Sequence, residues 1–153
     1  VGINERTLRM WKFRSMVPNA EALLADLLHK NEIEGAMFKM KHDPRITSIG
    51  RFIRRTSIDE LPQLWNVVRG NMSLVGPRPP LPREVAEYSN YDKLRLRVKP
   101  GCTGLWQVSG RNELGFKEMV ELDLEYIERR TVLFDLQIIL KTAKAMIGSD
   151  DAY

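Results

Sequence analysis

Residues 56–70 read TSIDELPQLWNVVRG, and this stretch carries the most informative pattern of the sequence. Apolar residues recur at intervals of three or four positions, which predicts an amphipathic helix that ends at Gly70. The apolar stripe consists of Ile58, Leu61, Leu64, Trp65 and Val68. Asp59 and Glu60 fall at the start of this helix, where the helix dipole stabilises acidic side chains.

The cap of this helix has two interpretations. Ser57 followed by Glu60 three positions later is a capping box, but Pro62 would then remove a helical hydrogen bond just beyond the first turn. With Asp59 as the cap, Pro62 lies inside the first turn, where proline is tolerated. Either placement favours the ionised form of both carboxylates, and capping alone would account for them.

The acidic pair also has a chemical interpretation. An ionised Asp59 is a nucleophile suited to attack on phosphorus, and the adjacent Glu60 can bind a metal ion or transfer a proton. Two carboxylates would repel a diphosphate, so such a site needs Mg²⁺ or nearby arginines to offset the charge.

The flanking sequence predicts an α+β fold, a helix-rich single domain over residues 1–153 with a few short strands. Bulky and basic residues alternate over 6–14, which predicts a strand or a hairpin arm. The proline-rich residues 72–82 predict an extended segment, and the glycines of 103–111 predict a loop or a short strand. Helices are predicted over 18–30, 48–55, 83–98, 116–130 and 133–147.

Composition limits the classes of partner. The chain of 153 residues has 24 basic and 20 acidic residues, a net charge of +4. Such an excess favours anionic partners, whether phosphates, nucleotides, nucleic acid or a membrane surface. A single cysteine, Cys102, excludes an internal disulfide and is interpreted as a small buried apolar residue. No apolar run approaches the roughly 18 residues of a membrane span.

Three basic residues are candidates for binding phosphate and Asp135 is a further candidate for the site, although each has a structural explanation when taken alone. Lys12 could meet a phosphate or be a solvated strand residue. Arg54 lies on the basic side of the predicted helix over 48–55. Arg78 is flanked by prolines, which would present its planar guanidinium from a stiff loop. Asp135 begins an apolar helix, as a cap or as a partly buried acid paired with an arginine.

Taken in order, five segments closely resemble the bacterial sugar transferases, which are the monotopic polyprenyl-phosphate phosphoglycosyl transferases. The resemblance covers nearly the whole chain, and its motifs are long. The segments are KFRSM at 12–16, DPRIT at 43–47, Arg54 together with TSIDELPQLWNV at 56–67, MSLVGPRP at 72–79 and PGCTGLWQ at 100–107.

The resemblance implies an enzyme that moves a sugar 1-phosphate from a UDP-sugar to polyprenyl phosphate and releases UMP, the first membrane step of exopolysaccharide, capsule, O-antigen or glycoconjugate synthesis. Asp59 matches the nucleophile, which forms an aspartyl-phosphosugar intermediate. Glu60 matches its partner in the dyad, and both are implied to bind Mg²⁺. Lys12, Arg54, Arg78, Asp135 and Arg111 match residues that bind substrate or phosphate. The motif at 104–111 resembles that of members using hexose phosphates.

The resemblance also implies partners and a location. The partners are the UDP-sugar, polyprenyl phosphate and a membrane surface rather than nucleic acid, and a homo-oligomer stays open. The location is the cytoplasmic face of the bacterial inner membrane. Family members carry an N-terminal re-entrant membrane helix ahead of the matched region, so a chain that starts at Val1 is expected to be truncated and to lack a span. The alternative is a non-catalytic basic module binding anionic membrane or nucleic acid, which leaves the acidic pair unexplained.

Overall fold

The computed structural model describes residues 1–110 and 114–148, and it has the predicted helix-rich α+β fold. The helices and strands are α1 (Leu24–Leu27), α2 (Ser48–Arg55), α3 (Gln63–Val68), β1 (Ser73–Val75), α4 (Pro82–Ala86), β2 (Gly101–Thr103), α5 (Leu105–Val108), α6 (Phe116–Arg129) and α7 (Val132–Gly148). Turns of 3-10 helix lie at Ile3–Glu5, Leu28–Lys30, Ile58–Glu60 and Asp92–Arg97.

The two strands form a small parallel sheet in which Ser73 is opposite Gly101 and Val75 is opposite Thr103. The approach is tight at Gly101, where an added Cβ would lie 2.1 Å from the nitrogen of Gly76. Only glycine fits such a contact. The proline-rich loop therefore leaves β1 at a fixed point beside β2.

Within the described residues, the core contains two apolar clusters. One joins the sheet to the long helices, since Val75 of β1, Tyr126 of α6 and Ile138 of α7 pack together. The other lies under α4 and contains Val85, with Tyr88 and Leu96 from the following segment. The predicted helices over 48–55, 116–130 and 133–147 are confirmed as α2, α6 and α7, and the extended segment over 72–82 contains β1.

Three predicted elements differ from the structure. Residues 6–14 form no strand. Instead of pairing with another strand, the main chain of this segment forms hydrogen bonds with the side chain of Asn66 on α3. The helix predicted over 18–30 begins with turns over 18–23 and continues only as the short α1 and the 3-10 turn Leu28–Lys30. The helix predicted over 83–98 breaks after α4, because the amide and hydroxyl of Ser89 bond to the carboxylate of Asp92 and form a local turn.

The glycine-rich segment is partly strand and partly helix. Thr103 ends β2, and α5 occupies the middle of the segment that was predicted to be a loop or strand.

The helix after the acidic pair also begins later than predicted. Ser57 has a left-handed φ of 55° and caps nothing, and the acidic pair lies in the 3-10 turn Ile58–Glu60. The α-helix begins only at Gln63, because Pro62 has no N–H to continue a helical ladder. Both cap interpretations are therefore wrong, and the carboxylates lie ahead of α3 rather than in its first turn.

The apolar faces of α2 and α3 point outward. On α3 the buried residues are the polar Gln63 and Asn66, whereas Val68 is 75% exposed. On α2 only Gly50 is buried, and Ile49 is 71% exposed. We call this surface the α2–α3 apolar face. It comprises Ile49, Phe52, Leu61, Leu64, Trp65 and Val68.

Candidate active site

The acidic pair is held by one lysine. The ammonium nitrogen of Lys12 lies 3.0 Å from Oδ2 of Asp59 and donates over 3.0 Å to Oε1 of Glu60. The Asp59 side chain is 3% exposed, whereas those of Glu60 and Lys12 are 38% and 33% exposed. The site thus combines a buried carboxylate with a second carboxylate and a cation that both reach solvent.

Hydrogen bonds of the residues on either side of Lys12 place this lysine beside the acidic pair. The amide of Phe13 donates to the carbonyl of Asp59 over 3.0 Å. The buried side-chain amide of Asn66 accepts from the nitrogen of Trp11 over 3.1 Å and donates to the carbonyl of Arg9 over 2.7 Å. One asparagine therefore fixes the chain on both sides of Met10 and brings Lys12 to the carboxylates.

Arg54 lies beside the same segment. Its Nε donates to the hydroxyl of Ser15 over 2.9 Å. Helix α2 can approach this closely because Gly50 faces the chain at Ser15, where an added Cβ would lie 1.9 Å from the carbonyl oxygen. Thr47 caps α2, since its hydroxyl accepts from the amide of Gly50 over 2.9 Å. The close packing of the first turn thus lets Arg54, in the last turn of α2, reach Ser15 in the segment that carries Lys12.

A buried ion pair adjoins Arg54. Asp43 and Arg45 are both about 6% exposed, and their side chains meet at 2.6 Å. Burial alone would raise the pKa of Asp43, but the hydrogen bonds and charge of Arg45, with a smaller effect of the Arg54 charge, lower it below its usual value. The sequence prediction did not include this pair.

Arg78 is held by a different partner. Its Nη1 donates to Oε2 of Glu84 over 3.2 Å, and the same oxygen accepts from the amide of Leu81 over 2.8 Å. Glu84 is buried, while the Arg78 side chain is 31% exposed. A guanidinium has five N–H donors, so one ion pair leaves donors that can meet a ligand.

Asp135 pairs with a tyrosine rather than with the expected arginine. The hydroxyl of Tyr126 donates to Oδ1 of Asp135 over 2.8 Å and lies 3.2 Å from the carbonyl oxygen of Val75. Burial, followed by this bond and the charge of Asp135, raises the pKa of Tyr126. Asp135 also lines two open clefts of about 460 and 430 Å³ that adjoin β1, and neither cleft is lined by the acidic pair.

The structure therefore joins some predicted residues and separates others. Lys12, Asp59 and Glu60 are in direct contact, and Arg54 lies beside the Lys12 segment. Arg78 and Asp135 have other partners. Arg111 lies outside the described residues. The sequence reasoning missed Asn66, Ser15 and Glu84. Asn66 could have been identified from the polar spacing of Gln63 and Asn66 on α3, had the polar side been taken as the buried one.

Cys102 is not a nucleophile at neutral pH. Burial, with a smaller effect of the Glu60 charge, raises the pKa of its thiol to about 11. The thiol is therefore protonated under physiological conditions. Cys102 itself is partly buried rather than fully buried as predicted.

The acidic pair fits a magnesium ion only in part. One oxygen each of Asp59 and Glu60 converges on a single cation, the Lys12 ammonium. Residues 1–110 and 114–148 contain no cluster of three or more carboxylate, histidine or cysteine side chains that could enclose a metal. Mg²⁺ commonly binds through one or two carboxylates together with water and substrate phosphates. The two residues match that mode and not an all-protein cage.

Two further surface features belong to the setting of the site. None of the helices described is both long enough and apolar enough to cross a membrane. Exposed basic residues adjoin the α2–α3 apolar face, and the guanidinium of Arg69 lies 5.3 Å from the ring centre of Trp65 on that face.

Known proteins are similar to this chain over nearly its whole length. The model of a family described as bacterial sugar transferase matches residues 1–149. The chain is 53% identical over 148 residues to the galactosyl transferase CpsE of Streptococcus agalactiae serotype III (strain NEM316), covering 96% of the chain and 33% of that protein. It is 48% identical over 157 residues to the undecaprenyl-phosphate galactose phosphotransferase of Salmonella typhimurium (strain LT2), covering 100% of the chain and 33% of that protein.

A relative with a different sugar in its name is also similar. The chain is 42% identical over 163 residues to the undecaprenyl-phosphate glucose phosphotransferase of Komagataeibacter xylinus, covering 99% of the chain and 29% of that protein. The chain thus spans about a third of the length of these relatives.

Proposed function

Because this chain belongs to the bacterial sugar transferase family, we propose that it carries the active site of an enzyme that transfers a sugar 1-phosphate from a UDP-sugar to polyprenyl phosphate, with release of UMP. The observation that carries this proposal is the contact of the buried Asp59 with Lys12, beside Glu60. A buried carboxylate next to a cation and a second acid is an arrangement that suits nucleophilic catalysis by a carboxylate.

The reaction proceeds in two displacements at one phosphorus atom. A carboxylate oxygen of Asp59 bonds to the phosphorus that bears the sugar, and the bridging P–O bond breaks so that UMP departs with the electron pair. A phosphate oxygen of the lipid then bonds to the same phosphorus, and the acyl-phosphate bond to Asp59 breaks. The products are UMP and a polyprenyl diphosphate sugar, and Asp59 is regenerated.

Two partners assist this nucleophile. Lys12 offsets charge on the diphosphate once the substrate competes with the carboxylates for its ammonium. Glu60 reaches solvent, and we assign it to proton handling and, with Asp59 and phosphate oxygens, to binding Mg²⁺. When bound, Mg²⁺ supplies further neutralisation of the diphosphate charge.

We assign the remaining predicted residues to binding phosphate or to shaping the site. Arg54 lies on α2 and Arg78 on the proline-rich loop, and their planar guanidinium groups suit phosphate oxygens. Asp135 holds the start of α7 against β1 through Tyr126, so we assign it to shaping the site. Arg111 stays a prediction as a phosphate ligand.

The α2–α3 apolar face suits an anionic membrane surface. Its residues are 46–75% exposed, and Arg69 and other exposed arginines border it. An amphipathic surface with basic residues at its edge binds the boundary between lipid headgroups and acyl chains. Such binding would bring the site to a polyprenyl phosphate at the cytoplasmic face of the inner membrane, in a pathway of exopolysaccharide or related glycan synthesis.

The test follows UMP release and the covalent adduct. The full-length protein in nanodiscs, given a panel of UDP-sugars with polyprenyl phosphate and Mg²⁺, should release UMP with the matching donor. Mass spectrometry without the lipid should find the phosphosugar on Asp59, and Asp59→Asn should lose both signals while its thermal midpoint shows that it folds. Full transfer by Asp59→Asn would overturn the mechanism. Salt-dependent binding to generic DNA, with no response to any UDP-sugar, would favour a basic binding module instead.

A further inference from the structure

A second buried ion pair lies beneath the loop that carries Arg78. Arg95, from the 3-10 turn Asp92–Arg97, is 1% exposed, and Asp123 of α6 is completely buried. Nη2 of Arg95 binds Oδ2 of Asp123, and Nη1 donates to the hydroxyl of Tyr88 over 3.0 Å. Nη2 also reaches the main-chain carbonyl oxygen of Arg78 over 3.4 Å.

This pair is costly for the fold. A buried ion pair is often no more stabilising than apolar residues of similar volume, because both charges lose their hydration. Within the described residues, Nε of Arg95 and Oδ1 of Asp123 have no hydrogen-bond partner, so the polar groups are not fully satisfied. The arrangement therefore calls for a role other than packing.

The loop that carries Arg78 has a sequence that limits how it can be held. Residues 77–80 read Pro-Arg-Pro-Pro, so the loop has few main-chain N–H groups with which to bind the rest of the protein. Main-chain carbonyl groups at both ends of this segment accept hydrogen bonds from Gly101 and from the N-terminus. Between them, two buried side chains hold the loop at Arg78. Glu84 accepts from the guanidinium of Arg78 and from the amide of Leu81, and Arg95 donates to the carbonyl of Arg78.

We propose that Arg95 and Asp123 are positioning residues that fix the main chain at Arg78, so that its guanidinium meets the diphosphate at a set place. Asp123 offsets the charge of Arg95 and orients it, Tyr88 holds its other nitrogen, and Arg95 binds the loop. The inference rests on the proposed function only in the role it gives to Arg78 as a phosphate ligand.

A double-mutant cycle tests whether the pair acts through Arg78. In the full-length protein, Asp123→Asn should lower kcat/KM for the UDP-sugar about tenfold, mainly through KM, because a loosened loop presents the guanidinium poorly. In an Arg78→Ala background the same substitution should cause no further loss. Equal losses in both backgrounds would show that Asp123 supports the fold alone and would overturn the proposal.

Two other variants guard against a trivial loss of folding. Tyr88→Phe keeps the ring and removes the hydroxyl that holds Arg95, so it should give a smaller loss in the same direction. Ile138→Ala makes a cavity in the other core cluster, from which the pair is absent. At an equal drop in thermal midpoint, it should leave KM unchanged, and a rise in KM there would also overturn the proposal.

Hydrogen exchange separates this inference from the proposed function. The amides of Gly76 and Leu81, which donate to Thr103 and Glu84, should exchange faster in Asp123→Asn than in Ile138→Ala, whether or not any UDP-sugar is turned over. Should the wild-type protein transfer no sugar phosphate, the proposed function fails while the exchange result still decides whether the pair fixes the loop. Unchanged exchange at both amides would overturn the positioning role.

Discussion

The ammonium of Lys12 lies 3.0 Å from Oδ2 of Asp59, a carboxylate that is almost fully buried. Burying a charge is costly unless a partner of opposite sign is close, so Lys12 makes the buried acid tolerable. The lysine is a third exposed and can still meet an anion that enters from solvent. The same contact therefore serves the fold and, in the proposed reaction, the substrate.

The first prediction concerns this lysine. Lys12→Gln should lower kcat/KM for sugar-phosphate transfer by about 10²–10³-fold, because the cation that offsets diphosphate charge is lost. Lys12→Arg should recover part of the activity. Arg14→Gln removes an exposed cation two positions away and should change the rate little. Equal effects of the two glutamine variants would reduce Lys12 to a contribution to general surface charge.

The second prediction concerns the stability of α3. Asn66→Ala removes two hydrogen bonds to the segment over 9–11 and should lower the free energy of unfolding by about 2 kcal/mol. Val68→Ser, on the same helix but 75% exposed, should change it by less than about 0.5 kcal/mol. Urea denaturation checks both. The reverse order would mean that the apolar face of α3 is buried in solution.

These two residues also show where the sequence was informative. The period of α3 correctly identified which residues share a face, but it could not say which face is covered, because burial depends on what packs against the helix. The structure covers the polar side of α3 and leaves its apolar side exposed. The long helices α6 and α7 were predictable because their periodic patterns are long and uninterrupted.

The candidate site was predictable to the extent that one motif contains it. Asp59 and Glu60 are neighbours in the sequence, and Lys12 was named through its own motif. Their contact depends on Asn66, whose partners lie 55 and 57 positions away, and no local pattern reports such a distance. The partners of Arg78 and Asp135 were likewise unpredictable, since Glu84 and Tyr126 have no feature in the sequence that distinguishes them from other acids and tyrosines.

The third prediction concerns the α2–α3 apolar face. A Leu64→Ser/Val68→Ser variant of this chain should bind vesicles of anionic phospholipid at least about tenfold more weakly, since each large apolar side chain contributes about 1.5–3 kcal/mol when it is buried. Co-sedimentation measures the binding. Leu28→Ser changes a leucine that is 54% exposed outside this face, and its binding should stay at the wild-type level. An equal loss of binding in Leu28→Ser would show that lipid binding is not specific to the α2–α3 apolar face.

The fourth prediction is a pH dependence of stability. Burial raises the pKa of Asp123 to about 6, although the charge and hydrogen bond of Arg95 oppose the shift. The folded state then holds a proton more tightly than the unfolded chain between about pH 4 and pH 6. The free energy of unfolding contributed by this group should therefore fall as the pH rises through that window, by up to about 3 kcal/mol. Asp123→Asn should abolish this part of the slope.

Asp43 provides the opposite sign in the same measurement. Its pKa is lowered, so its stabilising contribution is present above the usual aspartate range and is lost as the pH falls through the folded-state value. The difference in unfolding free energy between wild type and Asp43→Asn should shrink at acid pH. For each variant, urea denaturation from pH 3 to pH 7 gives the wild-type minus variant difference in unfolding free energy. If these differences changed with pH in the same direction for Asp43→Asn and Asp123→Asn, the assignment of one or both pKa shifts would be contradicted.

The fifth prediction separates Glu60 from its neighbour. Glu60 is 38% exposed and makes its ion pair at the surface, so Glu60→Gln should cost at most about 1 kcal/mol of stability. Its rate of transfer should nevertheless fall by about 10²–10⁴-fold, as expected for a lost proton-transfer group.

The concentration of Mg²⁺ giving half-maximal rate should rise in the same variant, because one of the two carboxylate ligands is gone. The control Glu87→Gln changes an exposed glutamate outside the site and should alter neither quantity. A slow Glu60→Gln enzyme with wild-type Mg²⁺ dependence would support Glu60 as a proton-transfer group and exclude it as a metal ligand. An unchanged rate would exclude both roles for Glu60.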